Sequence, residues 1–260
     1  MLVLARVAKT YRAGLPGCAA SIDVLRGVSL CMRPGELVTI EGGPGAGKTT
    51  LLLCAAGIVR PDDGSVSWPA LELRPGRPAA SIGYASDRAP GYGFLTVRES
   101  LAYATAVCES RAPGTARGTV DLLDGAGLSE YADARQALLA DSERARLLIA
   151  TALVASPGLL LVDDLAGGMS AHGRDAFARY LARVAASGVA VLWAAASRRS
   201  GADRAYALTG GRLHRVRRPA PDAPSRPLGG QVFAGADTAS APSPRQPDLV
   251  PATSGLPRQR

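Results

Sequence analysis

The sequence predicts an α/β fold built on a mostly parallel sheet. Three apolar runs, Leu37–Ile40, Leu159–Val162 and Val189–Ala195, have the length and composition of buried strands. Segments with helical spacing of apolar residues separate these runs. A glycine-rich turn joins the first run to a helical segment, and strands that alternate with helices in this way favour a parallel sheet covered on both faces.

The amino-terminal third is rich in strand and turn signals. Residues 1–12 alternate apolar and polar side chains, and residues 13–21 are predicted to form a loop. Val24–Met32 predicts a strand that ends at a Pro-Gly turn. The turn signal Asp62-Asp63-Gly64 is expected to lie between two short strands.

Five helices are predicted from apolar residues at helical spacing. The longest is expected to end before Pro157, because proline cannot continue a helix. The predicted helices are Thr49–Ile58, Thr96–Cys108, Thr119–Gly125, Leu138–Ser156 and Asp175–Ala186.

Composition and charge divide the chain near residue 216. The net charge is +8, and from Arg215 onward seven Arg and three Asp contribute half of it. Nine of the 19 prolines lie between Pro219 and Pro257, so residues 217–260 are predicted to be a disordered, Pro- and Arg-rich tail. The tail is expected to be solvated, with acidic lipid or RNA as an alternative contact. The charge on residues 1–216 is too small to favour nucleic acid as the main ligand.

Cysteine spacing and hydropathy exclude two further classes. Cys18, Cys31, Cys54 and Cys108 form no C-x-x-C pair and have no nearby histidine, which argues against a disulfide framework and a structural zinc site. The longest uncharged apolar stretch, Leu147–Val162, is broken by Ser-Pro-Gly and is shorter than the roughly 20 residues of a spanning helix. No membrane-spanning segment is therefore predicted.

A phosphate-binding loop is the strongest motif. The residues Gly42, Gly43, Pro44, Gly45, Ala46, Gly47, Lys48 and Thr49 fit G-x-x-x-x-G-K-[ST], and Thr50 follows. Glycines let the backbone curl so that successive N–H groups point inward at a phosphate. Lys48, one of only two lysines with Lys9, is predicted to reach the β- and γ-phosphates, and the Thr49 hydroxyl to bind Mg²⁺. The loop predicts a P-loop NTPase that binds ATP.

Two aspartates supply the acidic partner that such a loop needs. Asp163 and Asp164 follow the buried run Leu159–Val162, and ligands gather at the carboxyl ends of strands in these sheets. Asp163 is predicted to bind Mg²⁺ directly or through water. Asp164 is predicted to orient the attacking water, and the alternative is that the pair caps the next segment.

With these motifs the chain resembles the ATP-binding cassette family of membrane transporters across residues 1 to about 216. The resemblance implies an amino-terminal antiparallel β subdomain and a small helical subdomain over about residues 92–156. It also implies stacking of Tyr11 on adenine, and the alternative is that Tyr11 is an ordinary strand tyrosine. Further matching positions are Val24–Leu30, Pro34–Glu36, Gly57, Pro61, Gly64, Ile82–Tyr84, Leu95–Val97, Glu99, Leu123, Gly127, Leu128, Ala202–Arg204 and Gly211–Leu213.

The departures from the family pattern concern hydrolysis. The signature segment reads Leu139, Ala140, Asp141, Ser142 and Glu143, so two carboxylates are expected to face the phosphate held by an opposing subunit. Asp164 replaces the catalytic glutamate, and Ala196 stands at the histidine position. Asp87 replaces the glutamine that couples to the transmembrane subunit, and it is a third candidate Mg²⁺ ligand. His172 is interpreted as a surface residue, with a catalytic role as the alternative.

The resemblance therefore implies an ATP-binding subunit, slow in hydrolysis, under a transmembrane permease. A second, better-preserved cassette is expected as a heterodimer partner, because a homodimer would have two weakened sites. Residues 24–30 favour an exporter, and the chain is expected on the cytoplasmic face of the cell membrane, in contact with it only through the permease. The alternatives are an inactive regulatory ATP-binding subunit and a soluble ATPase of the same class.

Overall fold

The computed structural model describes residues 1–13, 20–68, 82–88, 92–195 and 202–216. The described residues all belong to one compact unit. The predicted tail lies outside the described residues, and its disorder stays a prediction.

An antiparallel sheet of three strands occupies the amino-terminal part. Its strands are β1 (Leu2–Ala13), β2 (Ala20–Met32) and β4 (Asp63–Ser67), in the order β2-β1-β4. The strand β2 begins earlier than predicted, because Ala20 pairs with Ala13 at the end of β1. The expectation of a strand on each side of a turn at Asp62-Asp63-Gly64 is wrong: turns and bends precede Asp62, and β4 already begins at Asp63, within the predicted turn.

A six-stranded sheet forms the centre and confirms the predicted α/β class. It contains β3 (Leu37–Glu41), β5 (Ile82–Ser86), β6 (Leu159–Asp163), β7 (Ala190–Ala195), β8 (Arg204–Thr209) and β9 (Arg212–Val216). The order is β5-β6-β7-β3-β8-β9, and only the last pair is antiparallel. Strands distant in sequence, β3 and β6, therefore end at the same edge.

Five helices accompany the sheet in the described residues: α1 (Lys48–Ala55), α2 (Val97–Arg111), α3 (Thr119–Ala126), α4 (Asp141–Ala152) and α5 (Ala171–Ala186). The helix α4 is shorter than predicted at both ends, with extended backbone at Leu139 and a left-handed Ser156 beyond it. The helix α5 is longer, because the Ser170 hydroxyl accepts a hydrogen bond from Gly173 N–H and caps it. None of these helices has both the length and the apolar character that crossing a membrane requires.

The parallel sheet separates two apolar cores. In β6 the side chains alternate, so Leu160 and Val162 pack with α2–α5 while Leu159 and Leu161 pack with α1 and the antiparallel sheet. By the same alternation Asp163 points to the α1 side of the sheet. The sheet therefore brings this carboxylate to the face on which the phosphate loop begins its helix.

Both tryptophans belong to the cores. Trp193 in β7 is fully buried and meets the Phe177 ring edge-on, with 5.5 Å between ring centroids. Trp68 is buried in the other core, beside β4. These large side chains fix the distance of α5 and of the antiparallel sheet from the central strands.

The amino end of β3 is clamped to β8 by polar contacts. Glu36 forms an ion pair with Arg204, with 2.9 Å between Glu36 Oε2 and Arg204 Nη2, and the Leu37 N–H donates to Asp203 Oδ2 at 2.8 Å. Burial acts to raise the pKa of Glu36, but the hydrogen bonds from Arg204 and from the Arg33 backbone outweigh it and hold the pKa below its usual value. The clamp fixes the strand that leads into the phosphate loop.

Candidate functional site

The loop between β3 and α1 needs glycine at two positions, because its backbone there lies against residues of neighbouring strands. Gly47, the N-cap of α1, has φ 98°, and a Cβ there would lie 2.8 Å from Val24 Cγ1. A Cβ at Gly42 would lie 2.9 Å from the Leu208 carbonyl oxygen. The loop is therefore held between β2 and β8, and its curled backbone presents the first N–H groups of α1, which have no intrahelical partner.

Lys48 is the charged group at the centre of this loop. Its side chain is buried, and the ammonium donates to the carbonyl oxygens of Gly42 at 2.6 Å and Gly43 at 3.1 Å. These bonds hold the ammonium inside the curl of the loop. A buried cation beside free backbone N–H groups is an arrangement that favours a multiply charged phosphate.

A cleft of about 490 Å³ collects the nucleotide-binding residues that the sequence predicts. Outside the loop, it is lined by Tyr11, Val24, Asp87, Arg88, Asp163 and Asp164. The loop side is formed by Pro44, Gly45, Ala46, Gly47, Lys48, Thr49 and Thr50. This volume lies within the range of small-molecule sites.

The Tyr11 ring lies at the edge of the cleft, with 39% of the residue exposed. The Lys9 ammonium lies 5.7 Å from the centre of this ring and is paired with Asp62 at 2.7 Å. An exposed aromatic ring whose position is supported by a neighbouring cation is suited to stacking on a planar base.

Asp163 and Thr49 both line the cleft. Asp163 is 5% exposed, and its Oδ2 accepts a hydrogen bond of 2.9 Å from the Tyr84 hydroxyl. The described residues hold no cluster of three or more acidic, histidine or cysteine side chains that suits a metal ion. One carboxylate and one hydroxyl fit Mg²⁺, because this ion keeps several waters and is bound with substrate phosphates rather than by an all-protein cage.

Asp164 lies where the cleft meets a second cavity of about 650 Å³. Its backbone is left-handed, with φ 49°, and its N–H donates to the Ala194 carbonyl at 3.0 Å. Left-handed backbone at a residue other than glycine costs about 1–2 kcal/mol and is concentrated at functional sites. Its Oδ1 is buried and has no hydrogen-bond partner among the residues that the structure describes. The geometry therefore keeps this carboxylate beside the cleft with one oxygen unused.

Asp87 also lines both cavities, immediately after β5. Arg88 follows it into the cleft, and sequence reasoning missed this residue. The signal was present, since residues that follow the carboxyl ends of parallel strands gather around the ligand site. The second cavity is lined by Asp87, Gly93, Gln136, Ala137, Asp141, Arg144, Ala145, Leu147, Leu148, Asp164, Leu165, Gly167 and Gly168.

The signature segment forms the amino terminus of α4. The N-cap is Ala140, which offers no side-chain hydrogen bond, and Asp141 and Glu143 lie in the first turn. The Asp141 carboxylate lies directly against Gly168 of the same chain, so close that Gly168 has no room for a Cβ. The two acidic residues complement the positive end of the helix that they begin.

Glu143 differs from the expectation that both carboxylates point toward an opposing phosphate. Its Oε1 accepts 2.9 Å from Arg146 Nη2 and 2.8 Å from the Ser142 hydroxyl. Arg146 also donates to the carbonyls of Ala126 and Gly127, which ties α4 to the end of α3. Among the described residues, no ion pair of that kind holds the Asp141 carboxylate.

The predictions for His172 and Ala196 have different outcomes. His172 is exposed in the first turn of α5, in agreement with its interpretation as a surface residue. Ala196, the position of the missing histidine, lies outside the described residues, so that assignment stays a prediction.

The fold and the cleft define a P-loop nucleotide-binding protein. A family model described as "ABC transporter" matches residues 25–166, more than half of the chain. The lipoprotein-releasing system ATP-binding protein LolD of Pseudomonas syringae pv. tomato is 30% identical over 216 residues, covering 79% of this chain and 93% of that protein. The molybdenum import ATP-binding protein ModC of Rhodospirillum rubrum is 33% identical over 180 residues, and the match spans 47% of its length.

Solved structures agree on the fold. The dimeric, post-hydrolysis state of the ATP-binding cassette MJ0796, bound to ADP and Pi, matches with a TM-score of 0.68 at 22% identity, covering 82% of this chain and 96% of that one. The ADP conformation of the cassette MJ1267 matches with a TM-score of 0.68 at 18% identity, covering 82% and 88%. The chain belongs to the ABC transporter family, whose ATP-binding members use ATP with Mg²⁺.

Proposed function

We propose that this chain is the ATP-binding subunit of a membrane transporter, that it binds ATP tightly, and that it hydrolyses ATP slowly. The observation that carries the proposal is the single cleft that contains Tyr11, the Gly42–Thr50 loop and Asp163. In it, Tyr11 stacks on adenine, the loop N–H groups and Lys48 hold the phosphates, and Thr49 and Asp163 hold Mg²⁺. Bound Mg²⁺ supplies charge stabilisation for the terminal phosphate.

Slow hydrolysis follows from the residues around the terminal phosphate. Asp164 is one methylene shorter than the family's glutamate, and a displacement of about 1 Å can lower a rate about 100-fold. Asp141 places a carboxylate at the amino terminus of α4, at a position where the family has glycine. Because two such chains together would have two weakened sites, we propose a heterodimer with a better-preserved cassette.

An exposed aromatic patch supports a permease as the other partner. The Tyr92 ring meets the rings of Phe94 and Tyr103 edge-on, and 45%, 71% and 54% of Tyr92, Phe94 and Tyr103 are exposed. Gly93, which lies between Tyr92 and Phe94 in the sequence, lines the second cavity together with Asp87. Large apolar side chains grouped on a surface favour a protein contact. We propose that the patch docks on the cytoplasmic side of the permease, so that the chain is peripheral on the inner face of the cell membrane.

The direction of transport is proposed to be outward. The relative LolD, whose name places it in a lipoprotein-releasing system, aligns over 93% of its length, whereas the molybdenum importer ModC aligns over 47%. A catalytically inactive regulatory subunit is the second candidate, and it is favoured by the same Asp141 and Asp164 that predict slow hydrolysis.

Two measurements test the proposal. Binding of a fluorescent ATP analogue and release of phosphate are measured on the purified chain, with and without Mg²⁺; tight binding with slow release is expected. Fast release by the chain alone contradicts the slow-hydrolysis proposal, and absence of release favours the inactive subunit.

The partner is tested by affinity purification of the tagged chain from membranes in mild detergent. Recovery of a polytopic membrane protein and a second cassette is expected. Recovery with ribosomes, and none from membranes, would favour the soluble ATPase.

A further inference from the structure

Tyr84 lies outside the phosphate loop, and its side chain is hydrogen-bonded directly to Asp163, a proposed magnesium ligand. Its hydroxyl donates to Asp163 Oδ2 at 2.9 Å. No sequence motif requires this contact, because Tyr84 matches the family pattern only as part of the strand that precedes Asp87. The bond results from the pairing of β5 with β6.

Strand register explains how the two side chains meet. Tyr84 is paired with Leu161, and Ser86 is paired with Asp163. In a parallel pair, residues in register point to the same face, so the Tyr84 side chain lies on the face that carries Asp163. From the level of Leu161, the Tyr84 ring extends along the strands to the level of Asp163, two residues further on, where its hydroxyl meets the carboxylate.

Both partners are held in place. Asp163 is 5% exposed, and the Tyr84 ring packs against the apolar core that contains α1. A tyrosine phenol is protonated at neutral pH, so its hydroxyl is able to donate. A neutral donor fixed by packing orients a carboxylate without neutralising its charge.

We propose that Tyr84 is a positioning residue for magnesium: its hydroxyl engages one oxygen of Asp163 and so directs the other toward the cleft. The proposal rests on the proposed function, since it deepens the role of the same cleft. Hydrogen-bond partners of metal ligands commonly contribute 10- to 100-fold to metal affinity. Asp163 would otherwise rotate about its side-chain bonds and present its oxygens less favourably.

The test is Tyr84→Phe, which removes the hydroxyl and keeps the ring. The affinity for a fluorescent ATP analogue is measured in EDTA, and Mg²⁺ is then titrated into the complex. We expect affinity in EDTA to change less than about twofold and the half-saturating Mg²⁺ concentration to rise about 10-fold. Tyr131→Phe is the matched control, because it removes a hydroxyl from an exposed tyrosine that lines neither the cleft nor the aromatic patch.

The outcomes separate this inference from the proposed function. An unchanged Mg²⁺ titration in a variant that binds ATP normally overturns the role of Tyr84 alone, and equal loss of binding in EDTA shows a structural role and also overturns it. Failure of the unaltered chain to bind ATP contradicts the proposed function. A double-mutant cycle with Asp163→Asn gives a second measurement: Tyr84→Phe should have no further effect on Mg²⁺ once the carboxylate is gone, and additive effects count against the proposal.

Discussion

The amino termini of α1 and α4 each carry the positive end of a helix dipole. They differ in the charged groups that lie in the first turn. The helix α1 begins at Lys48 after a left-handed glycine and has no acidic residue in its first turn. The helix α4 begins at Asp141 and carries two acidic residues there. The positive end of α1 is left for an anion, whereas that of α4 is already complemented by carboxylates of the chain itself.

The difference shows that a helix end is an anion site only when its first turn leaves it electropositive. At α1 the buried Lys48 adds a full charge to the partial charge of the helix. At α4 one acidic residue is bound to Arg146 and the other lies on Gly168. A phosphate arriving at α4 would meet an unpaired carboxylate, and one unit charge at about 5 Å is worth roughly 3 kcal/mol at an effective dielectric of 20.

The largest expected effect is at the α1 end. Lys48→Ala is expected to weaken ATP binding about 100-fold, because it leaves the buried phosphates without their cation. Equilibrium binding of a fluorescent ATP analogue measures it. Arg179→Ala removes an exposed cation from α5 and serves as the control. Equal ATP affinities for Lys48→Ala and Arg179→Ala would contradict the interpretation of the α1 amino terminus as the phosphate site.

The second effect is at the α4 end. Replacing Ala140, Asp141, Ser142 and Glu143 by Ser, Gly, Gly and Gln is expected to raise phosphate release at high protein concentration about 10- to 100-fold, because it removes the repelling carboxylate of Asp141. Asp121→Gly, which removes an exposed acidic residue from the first turn of α3, is the matched control. No rise, in a variant that remains folded by circular dichroism, would mean that the acidic turn does not limit turnover.

A third, smaller effect is expected at the adenine end of the cleft. Tyr11→Ala should weaken ATP binding about 10-fold through loss of stacking, and leave competition by inorganic tripolyphosphate unchanged, because that ligand has no base. Tyr11→Phe should bind normally. If tripolyphosphate competition weakens as much as ATP binding, the ring supports the loop rather than the base.

The smallest effect concerns the strand that carries the loop. Glu36→Gln is expected to lower the free energy of unfolding at pH 7 by about 1–2 kcal/mol and leave ATP affinity unchanged. Because the pKa of Glu36 is lowered in the folded state, the advantage of the unaltered chain is present above the usual glutamate value of 4.5 and is lost as the pH falls through the folded value. Urea unfolding from pH 7 to pH 3 checks it, and a difference that does not shrink on acidification would contradict the ion pair as the cause.

The parts of the fold that sequence predicted well are those set by local pattern. The strands β3, β6 and β7 are continuous apolar runs, and the glycine-rich loop fixes its own geometry. The end of α4 was misplaced because its Leu- and Ala-rich run has helical composition beyond the point where Ser156 takes a left-handed backbone. The start of α5 was missed because it depends on one cap, the Ser170 hydroxyl.

The sequence predicted the site residues that belong to one motif. It did not predict contacts between residues that strand pairing brings together. The loop and its two aspartates are motif residues. The contact of Tyr84 with Asp163 depends on the pairing of two strands far apart in sequence. The bond between Glu143 and Arg146 was within reach, since residues three apart on a helix face each other.

The burial of both tryptophans decides how this protein can be observed by spectroscopy. Trp68 and Trp193 are the only indole groups in the chain, both are buried, and neither lines the nucleotide cleft. Their emission therefore reports the integrity of the two cores, and loss of that signal marks unfolding. Nucleotide occupancy has to be followed with an extrinsic chromophore, which keeps the optical records of stability and of binding independent in a single cuvette.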